Sequence, residues 1–245
     1  MVFYPKEPIA MSLKEAKAVI FDLDETLIDA QKGLCKAHEK VAQIINAHLK
    51  QSKLSLKSSQ ILREIRTFDD KMNRELNYDR DKWWQAIVNN LGVNVALSKA
   101  FTRRLTMAYW HEYARLSRPY RDTLGTLRYL KKNHLLGLLS DTDGLKGMKR
   151  WRIGKLPFRH LFDAIVIAGE DTAETKPSLE PYELIARKLG VTTGECVFVG
   201  DKPFTDIKGA KLAGMKTALV HRRDWRADAR ADWTIKSLSE LRRIL

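Results

Sequence analysis

Ala18-Val19-Ile20-Phe21-Asp22-Leu23-Asp24-Glu25-Thr26 is the stretch on which the fold turns. Four apolar residues follow one another without alternation, so the segment reads as a strand buried on both faces. Such strands belong to parallel sheets covered by helices on both sides. The run ends on Asp22 and Asp24, two carboxylates that repel each other unless something uses them.

From this strand the pattern changes toward the C-terminus. Between about 30 and 116 the apolar residues recur at helical spacing. Leu34, Val41, Ile44, Ile45 and Leu49 form one stripe, and Ile61, Ile65, Phe68, Met72 and Leu76 a second. Trp83, Trp84, Ile87, Val88 and Leu91 form a third, and Leu97, Phe101, Leu105, Tyr109 and Leu116 a fourth. These stripes predict amphipathic helices of a bundle. Trp83 and Trp84 read as core of that bundle. Lys32, Lys36, Arg63 and Arg66 read as solvated helix charges. His38 and His48 lie in the stripes without metal-ligand spacing.

After Arg118-Pro119, strands and helices alternate. Short apolar runs at 135–139, 164–167, 196–199, 217–220 and 233–235 predict five more strands. Helices are predicted at 122–132, 143–153, 181–189, 206–213 and 237–245, the last with Ser237 as N-cap and Glu240 completing a capping box. The expected fold is therefore α/β. It is a Rossmann-like, doubly wound parallel sheet with an α-helical insertion after the first strand. The expected boundaries are 17–29 and 118–245 for the α/β core, 30–117 for the helical cap, and 1–16 for an N-terminal extension. Hinges fall near 28–30 and 117–119.

In such sheets, ligands bind beyond the carboxyl ends of the strands. The polar residues found there are Asp22, Asp24 and Thr26, then Ser140 and Asp141, then Asp201 and Asp206, with Lys176 on the segment after the third strand. Each aspartate alone could be only a helix N-cap. Their convergence is what carries information. Hard oxygen ligands with few histidines suit Mg²⁺. A metal and a lysine would neutralise a phosphate, a carboxylate can attack it, and a second carboxylate can move the proton. The residues alone point to phosphoryl transfer.

The same residues fall into a known order. Asp22-Leu23-Asp24-Glu25-Thr26, Ser140 after an apolar strand, Lys176-Pro177, and the run from Gly200-Asp201 to Asp206 resemble the four motifs of the haloacid dehalogenase superfamily. The resemblance extends to its phosphatase branch with a helical cap between the first and second motifs, similar to glyceraldehyde-3-phosphate and phosphoglycolate phosphatase-like proteins. It implies Asp22 as nucleophile and metal ligand. Asp24 would be general acid and base and lend its backbone carbonyl to the metal. Ser140 and the amide of Asp141 would hold the phosphate. Lys176 would bridge the phosphate and Asp22, and Asp201 would ligate Mg²⁺. Thr26 and Asp206 would support these groups, Asp206 by orienting the metal's water or Lys176. The cap would act as a lid that admits small substrates. Glu25 departs from the motif, where Gly or Asp is more usual. The acid at position 24 departs from true haloacid dehalogenases, whose halide leaves without a proton.

The implied activity is Mg²⁺-dependent hydrolysis of a small phosphate monoester through an aspartyl-phosphate. A sugar phosphomutase, a nucleotidase, and a non-catalytic binder of nucleic acid are the alternatives. The 44 basic against 30 acidic residues give a formal charge of +14, a field that attracts anionic partners. His221-Arg222-Arg223-Asp224-Trp225-Arg226 is the most pointed basic cluster, read as a charged surface loop in preference to a nucleic-acid contact. Cys35 and Cys196 lack CxxC spacing, so neither a disulfide framework nor a cysteine metal site is expected. No apolar run approaches the ~20 residues of a membrane span. The expectation is a cytoplasmic monomer or homodimer acting on a small phosphorylated metabolite.

Overall fold

The computed structural model describes residues 16–54, 56–222, 225 and 230–245. Six strands form one sheet: β1 (Ala18–Phe21), β4 (Leu135–Asp141), β5 (Ala164–Ala168), β6 (Cys196–Gly200), β7 (Lys216–Val220) and β8 (Trp233–Ile235). Their order is β5-β4-β1-β6-β7-β8, and every neighbouring pair is parallel. β1 lies in the middle, between β4 and β6. The chain first builds outward on one side of β1 and then crosses to the other, which opens a crevice at the carboxyl ends.

Alternation within the strands divides the core into two layers. Val19, Phe21, Leu136, Leu138, Val197 and Val199 face one side. Ala18, Ile20, Leu139, Val166, Cys196 and Phe198 face the other. The first layer is closed by Leu127 and Leu130 of α5 (Thr123–Leu130), Ile153 of α6 (Met148–Gly154) and Leu241 of α9 (Leu241–Ile244). The second is closed by Tyr182 and Ile185 of α7 (Leu179–Leu189) and Ala210 of α8 (Lys208–Leu212). Cys196 is thus a core residue.

Between the two short strands β2 (Ile28–Asp29) and β3 (Arg118–Pro119) the chain forms α1 (Gln31–Gln51), α2 (Ser58–Arg74), α3 (Arg80–Asn90) and α4 (Lys99–Leu116). These helices bury a core of their own, with Val41, Ile45, Ile65, Trp83, Trp84 and Leu105. Trp83 and Trp84 are 2% and 1% exposed, as the stripe pattern predicts, and Lys32, Lys36, Arg63 and Arg66 are exposed. His38 is buried and bonded to Asp69 at 2.8 Å, while His48 stacks on Phe101. β2 and β3 pair antiparallel, Ile28 with Pro119 and Asp29 with Arg118, so the insertion leaves and rejoins the sheet through one two-stranded ribbon. Strands of two residues carry no periodicity that a sequence reading could detect.

All five helices predicted after residue 118 have shifted bounds, α5 and α7 by one or two residues at an end, and the other three begin differently. The helix expected over 143–153 begins only at Met148. Gly144 and Gly147 take left-handed φ of 76° and 82°, which breaks the helical pattern between them. The helix expected over 206–213 opens earlier, as a π turn over Pro203–Ile207, and continues as α8. The C-terminal helix begins as a 3₁₀ turn, Leu238–Glu240, and the Ser237/Glu240 capping box is present.

Candidate active site

The carboxyl ends of β1, β4 and β6 carry Asp22, Ser140 with Asp141, and Asp201. All four are buried, Asp141 least so at 9% exposure. Lys176 reaches them from the loop after β5. Its Nζ donates to Asp22 Oδ1 and to Asp206 Oδ1, each at 2.7 Å, and lies 3.8 Å from Asp141 Oδ2. The Lys176 backbone N–H donates to Asp141 Oδ1 at 2.9 Å. Asp206 is seated in turn by the Lys202 amide, 3.0 Å from its Oδ2. That seat needs Gly200, because a Cβ there would stand 2.4 Å from Asp206 Oδ2.

Asp22, Asp201 and Asp206 each offer a carboxylate oxygen, and these atoms lie within 4.8 Å of one another. Asp201 is 1% exposed. Its Oδ2 accepts from the Trp225 indole at 3.1 Å, but its buried Oδ1 has no hydrogen-bond partner among the described residues. Burial pushes the carboxyl of Asp201 well up, with Lys202 pulling against it and Asp206 and Asp22 adding to it. Burial likewise pushes Asp22 up, opposed by Lys176. Burial disfavours the charge on Lys202, yet Asp201, Asp22 and Asp206 outweigh it and hold the ammonium protonated. Four carboxylates, Asp22, Asp141, Asp201 and Asp206, thus face two ammonium groups. With all four ionised the deficit is two positive charges, which is why burial without a cation pushes Asp22 and Asp201 up, and an orphaned carboxylate oxygen sits beside them. An oxygen-rich set of this kind fits a hard divalent cation.

Asp24 behaves differently from its neighbour. Its carboxylate accepts from Lys149 Nζ at 2.8 Å, from Tyr113 Oη at 3.0 Å, and from the Arg152 guanidinium. Asp143 bridges the two cations, 2.8 Å from Lys149 Nζ and 2.8 Å from Arg152 Nη1. Burial opposes the charge on Asp24, but Arg152 and then Lys149 hold it well below the usual carboxylate range. Tyr113 comes from α4 of the insertion, so this pairing joins the insertion to the core. Thr26 is fully buried, and its hydroxyl has no partner among the described residues.

A cavity of about 160 Å³ opens above these groups. Asp22, Ser140 and Lys202 line it from the sheet, and Asp70, Arg74 and Tyr78 from the insertion. The insertion is seated on the sheet at this point. Tyr78 Oη donates to Asp141 Oδ2 at 3.4 Å, and Trp110 Nε1 donates to the Asp143 carbonyl at 3.2 Å.

Every residue predicted for the site thus lies at the ends of β1, β4 and β6 or on the loops beside them. Asp22, Lys176, Asp141, Asp201 and Asp206 form one connected group, with Ser140 on the cavity wall. The side chain of Asp24 is turned to Lys149 and Arg152, and Asp206 takes the third place in the carboxylate cluster. Lys149, Arg152, Tyr113 and Tyr78 escaped the sequence reading. Lys202 was read only as part of the run from Gly200 to Asp206, and Trp225 only as part of the basic cluster after the fifth strand, without a role for either side chain. The basic cluster at 221–226 is described at His221, Arg222 and Trp225. Arg222 pairs with Asp122 at 2.9 Å and stacks over Tyr120 at 3.9 Å. The other three residues lie outside the described residues.

A carboxylate cluster with a captive ammonium, at the strand ends of a doubly wound sheet, is a site built to handle an oxyanion. The model for haloacid dehalogenase-like hydrolases matches residues 16–214, and the chain belongs to that family, in its phosphatase branch. It is 32% identical over 239 residues to glyceraldehyde 3-phosphate phosphatase of Methanocaldococcus jannaschii, covering 92% of this chain and 95% of that one. It is 28% identical to human N-acylneuraminate-9-phosphatase, covering 85% and 84%. Among solved structures, an HAD phosphatase from Thermococcus onnurineus superposes with a TM-score of 0.63 at 26% identity, covering 93% and 97%. Among the described residues no helix is long and apolar enough to cross a membrane.

Proposed function

We propose that the chain hydrolyses a small phosphate monoester with Asp22 as nucleophile and a divalent cation, Mg²⁺ by ligand type, held by the carboxylates of Asp22 and Asp201 and the backbone carbonyl of Asp24. The observation that carries this reading is Lys176 Nζ at 2.7 Å from both Asp22 and Asp206, beside the orphaned Oδ1 of Asp201. The lysine holds an Asp22 oxygen in place, and the orphaned oxygen calls for a cation.

Asp22 attacks phosphorus in line with the ester oxygen. The P–O ester bond breaks and an aspartyl-phosphate forms on Asp22. The departing alkoxide takes a proton from the carboxyl of Asp24, which then takes one from the water that attacks the aspartyl-phosphate. The P–O bond to Asp22 breaks, releasing inorganic phosphate. Ser140, the Asp141 amide and Lys176 hold the phosphate oxygens throughout. When bound, Mg²⁺ supplies neutralising charge against those oxygens. For Asp24 to give a proton, its carboxyl has to leave Lys149 and Arg152, whose charges keep it ionised. The helical insertion is the lid, and its seat on Asp141 and Asp143 excludes water from the reaction.

The cavity bears on substrate. The cavity of about 160 Å³ is walled by the insertion as well as by the sheet, which favours a small ester over a polymer. The relative from M. jannaschii is named for a triose ester. Phosphate release should be measured over glyceraldehyde 3-phosphate, glycerol phosphate, phosphoglycolate and bulkier sugar phosphates, with Mg²⁺ and with chelator. The expected result is metal-dependent release, fastest with the smallest esters. Release unaffected by chelator would remove the metal from this reading, and no release from any ester would remove the reaction.

A further inference from the structure

The carboxylate cluster has a neighbour that the mechanism above does not use. Trp225 lies in the segment read from sequence as a charged surface loop, yet its indole turns inward. Nε1 donates to Asp201 Oδ2 at 3.1 Å. The ring meets Phe204 edge to face, with centroids 5.5 Å apart and planes at 82°. Both rings line the same cavity as Asp22. Asp201 is therefore pinned by one oxygen and unpartnered at the other, among the described residues. It offers a ligand atom within 4.8 Å of those of Asp22 and Asp206.

The choice of donor has a chemical consequence. A lysine at this position would orient Asp201 but would also repel an incoming cation and lower the carboxylate's affinity for it. An indole N–H orients the carboxylate without bringing a full charge. It fixes the rotation of the group, so that less freedom is lost when a cation binds, and metal sites depend strongly on such outer hydrogen bonds. Phe204 follows Asp201 by three residues, on the π turn over Pro203–Ile207. The ring that steadies Trp225 is thus carried by the same short segment as the carboxylate that Trp225 holds.

We propose that Trp225 is a positioning residue for Asp201, setting the affinity of the carboxylate cluster for a divalent cation, and that its indole reports occupancy of that cluster. The inference rests on the metal-dependent reading given above. It adds a residue to that reading, one that the sequence singled out only as a member of a basic cluster.

The test is Mg²⁺ titration of the whole protein without substrate, by calorimetry and by tryptophan emission. Wild type, Trp225→Phe and Phe204→Leu are compared, each first shown to melt cooperatively in chelator. Trp225→Phe keeps an aromatic ring beside Phe204, a smaller one, and removes the N–H donor; Phe204→Leu controls for the change in packing. The expected result is Mg²⁺ affinity about 10–100-fold weaker in Trp225→Phe, with most of the wild-type emission change gone. Phe204→Leu keeps the N–H and should stay within a few-fold of wild type. Wild-type affinity in Trp225→Phe overturns the proposal. Equal weakening in both variants also overturns it, since packing rather than the hydrogen bond would then be the cause. A wild type that binds no Mg²⁺ by either readout overturns the metal-dependent reading together with this one.

Discussion

At the scale of single residues, Lys176 joins more of the site than any other side chain described. It is 2% exposed and stands between Asp22 and Asp206. Burial works against its charge, and Asp206, Asp22 and Asp141 more than offset that, so its ammonium is held protonated well above the ordinary range. Removing one partner of such a buried pair costs about 3–5 kcal/mol. Lys176→Met should therefore lower the melting temperature in chelator and reduce kcat/KM by about 10²–10³-fold, as loss of an oxyanion-binding donor does. Added Mg²⁺ should restore part of the stability and little of the activity. A melting temperature unchanged in chelator would contradict the placement of Lys176. Glu25 shows what the sequence left unread at this scale. Its φ is 64°, a left-handed conformation in which a side chain is strained and glycine is not. The departure from the motif has a use: Glu25 accepts from the Ala30 amide and from Tyr120 Oη, each at 3.1 Å, tying the strand-end loop to both sides of the two-stranded ribbon.

At the scale of elements, the insertion meets the core through residues 77–79 against the loop after β4, and through Trp110 and Tyr113 of α4. A Cβ added at Gly144 would lie 1.5 Å from the Tyr78 carbonyl oxygen, and the φ of 76° is itself unfavourable for other residues. Gly144→Val should push the insertion off its seat, raising KM for the best ester about tenfold or more. Helix content should be retained, because the core around Val41, Ile65 and Trp84 is built mainly by the four helices themselves, with only Leu145 and Met148 added from the segment after β4. Unchanged KM in a folded Gly144→Val protein would show that the seat does not matter to binding. The strands of the sheet were legible because each is an unbroken apolar run, and the four helical stripes because their period is strong. The start of α6 was misplaced although Gly144 and Gly147 mark a break in the pattern. The apolar spacing on either side masked them. Lys149 and Arg152 of that helix could not be read as partners of Asp24, since only the fold brings residues more than a hundred positions apart together.

At the scale of the whole molecule, two bodies of hydrophobic core meet across a polar cleft, and the insertion holds a buried ionic network of its own. Asp69 accepts from Arg80 Nη2 at 3.0 Å, from Asn73 Nδ2 at 2.9 Å and from Tyr109 Oη at 3.3 Å, and is bonded to His38. The Arg80 guanidinium also lies over the rings of Trp83, Tyr109 and Trp110 at 4.3–4.5 Å. Burial disfavours the charge on Asp69, but Arg80 and His38 overcome it and hold the carboxyl below its ordinary value. A carboxyl depressed in the folded state stabilises above its unfolded pKa of about 3.9, and that contribution is lost as the pH falls through the folded value. Acidification below about pH 4 should therefore weaken the insertion, seen as loss of near-ultraviolet dichroism from Trp83, Trp84 and Trp110. Asp69→Asn should flatten this acid dependence and lower stability at neutral pH. An unchanged acid profile in that variant would show that Asp69 does not govern it. The basic balance of the chain was evident from composition. The network was not, because His38, Asp69 and Arg80 come from three helices.

The proposed reaction rests on phosphorylation of Asp22 during turnover. The most direct measurement is borohydride reduction of the enzyme quenched during turnover of its best ester, followed by peptide mass mapping. An acyl-phosphate on Asp22 is reduced there to the homoserine side chain, so that mass change is expected within the peptide carrying Asp22 and none in Asp22→Asn. Turnover with no change at Asp22, or with the change at another carboxylate, would contradict that reaction.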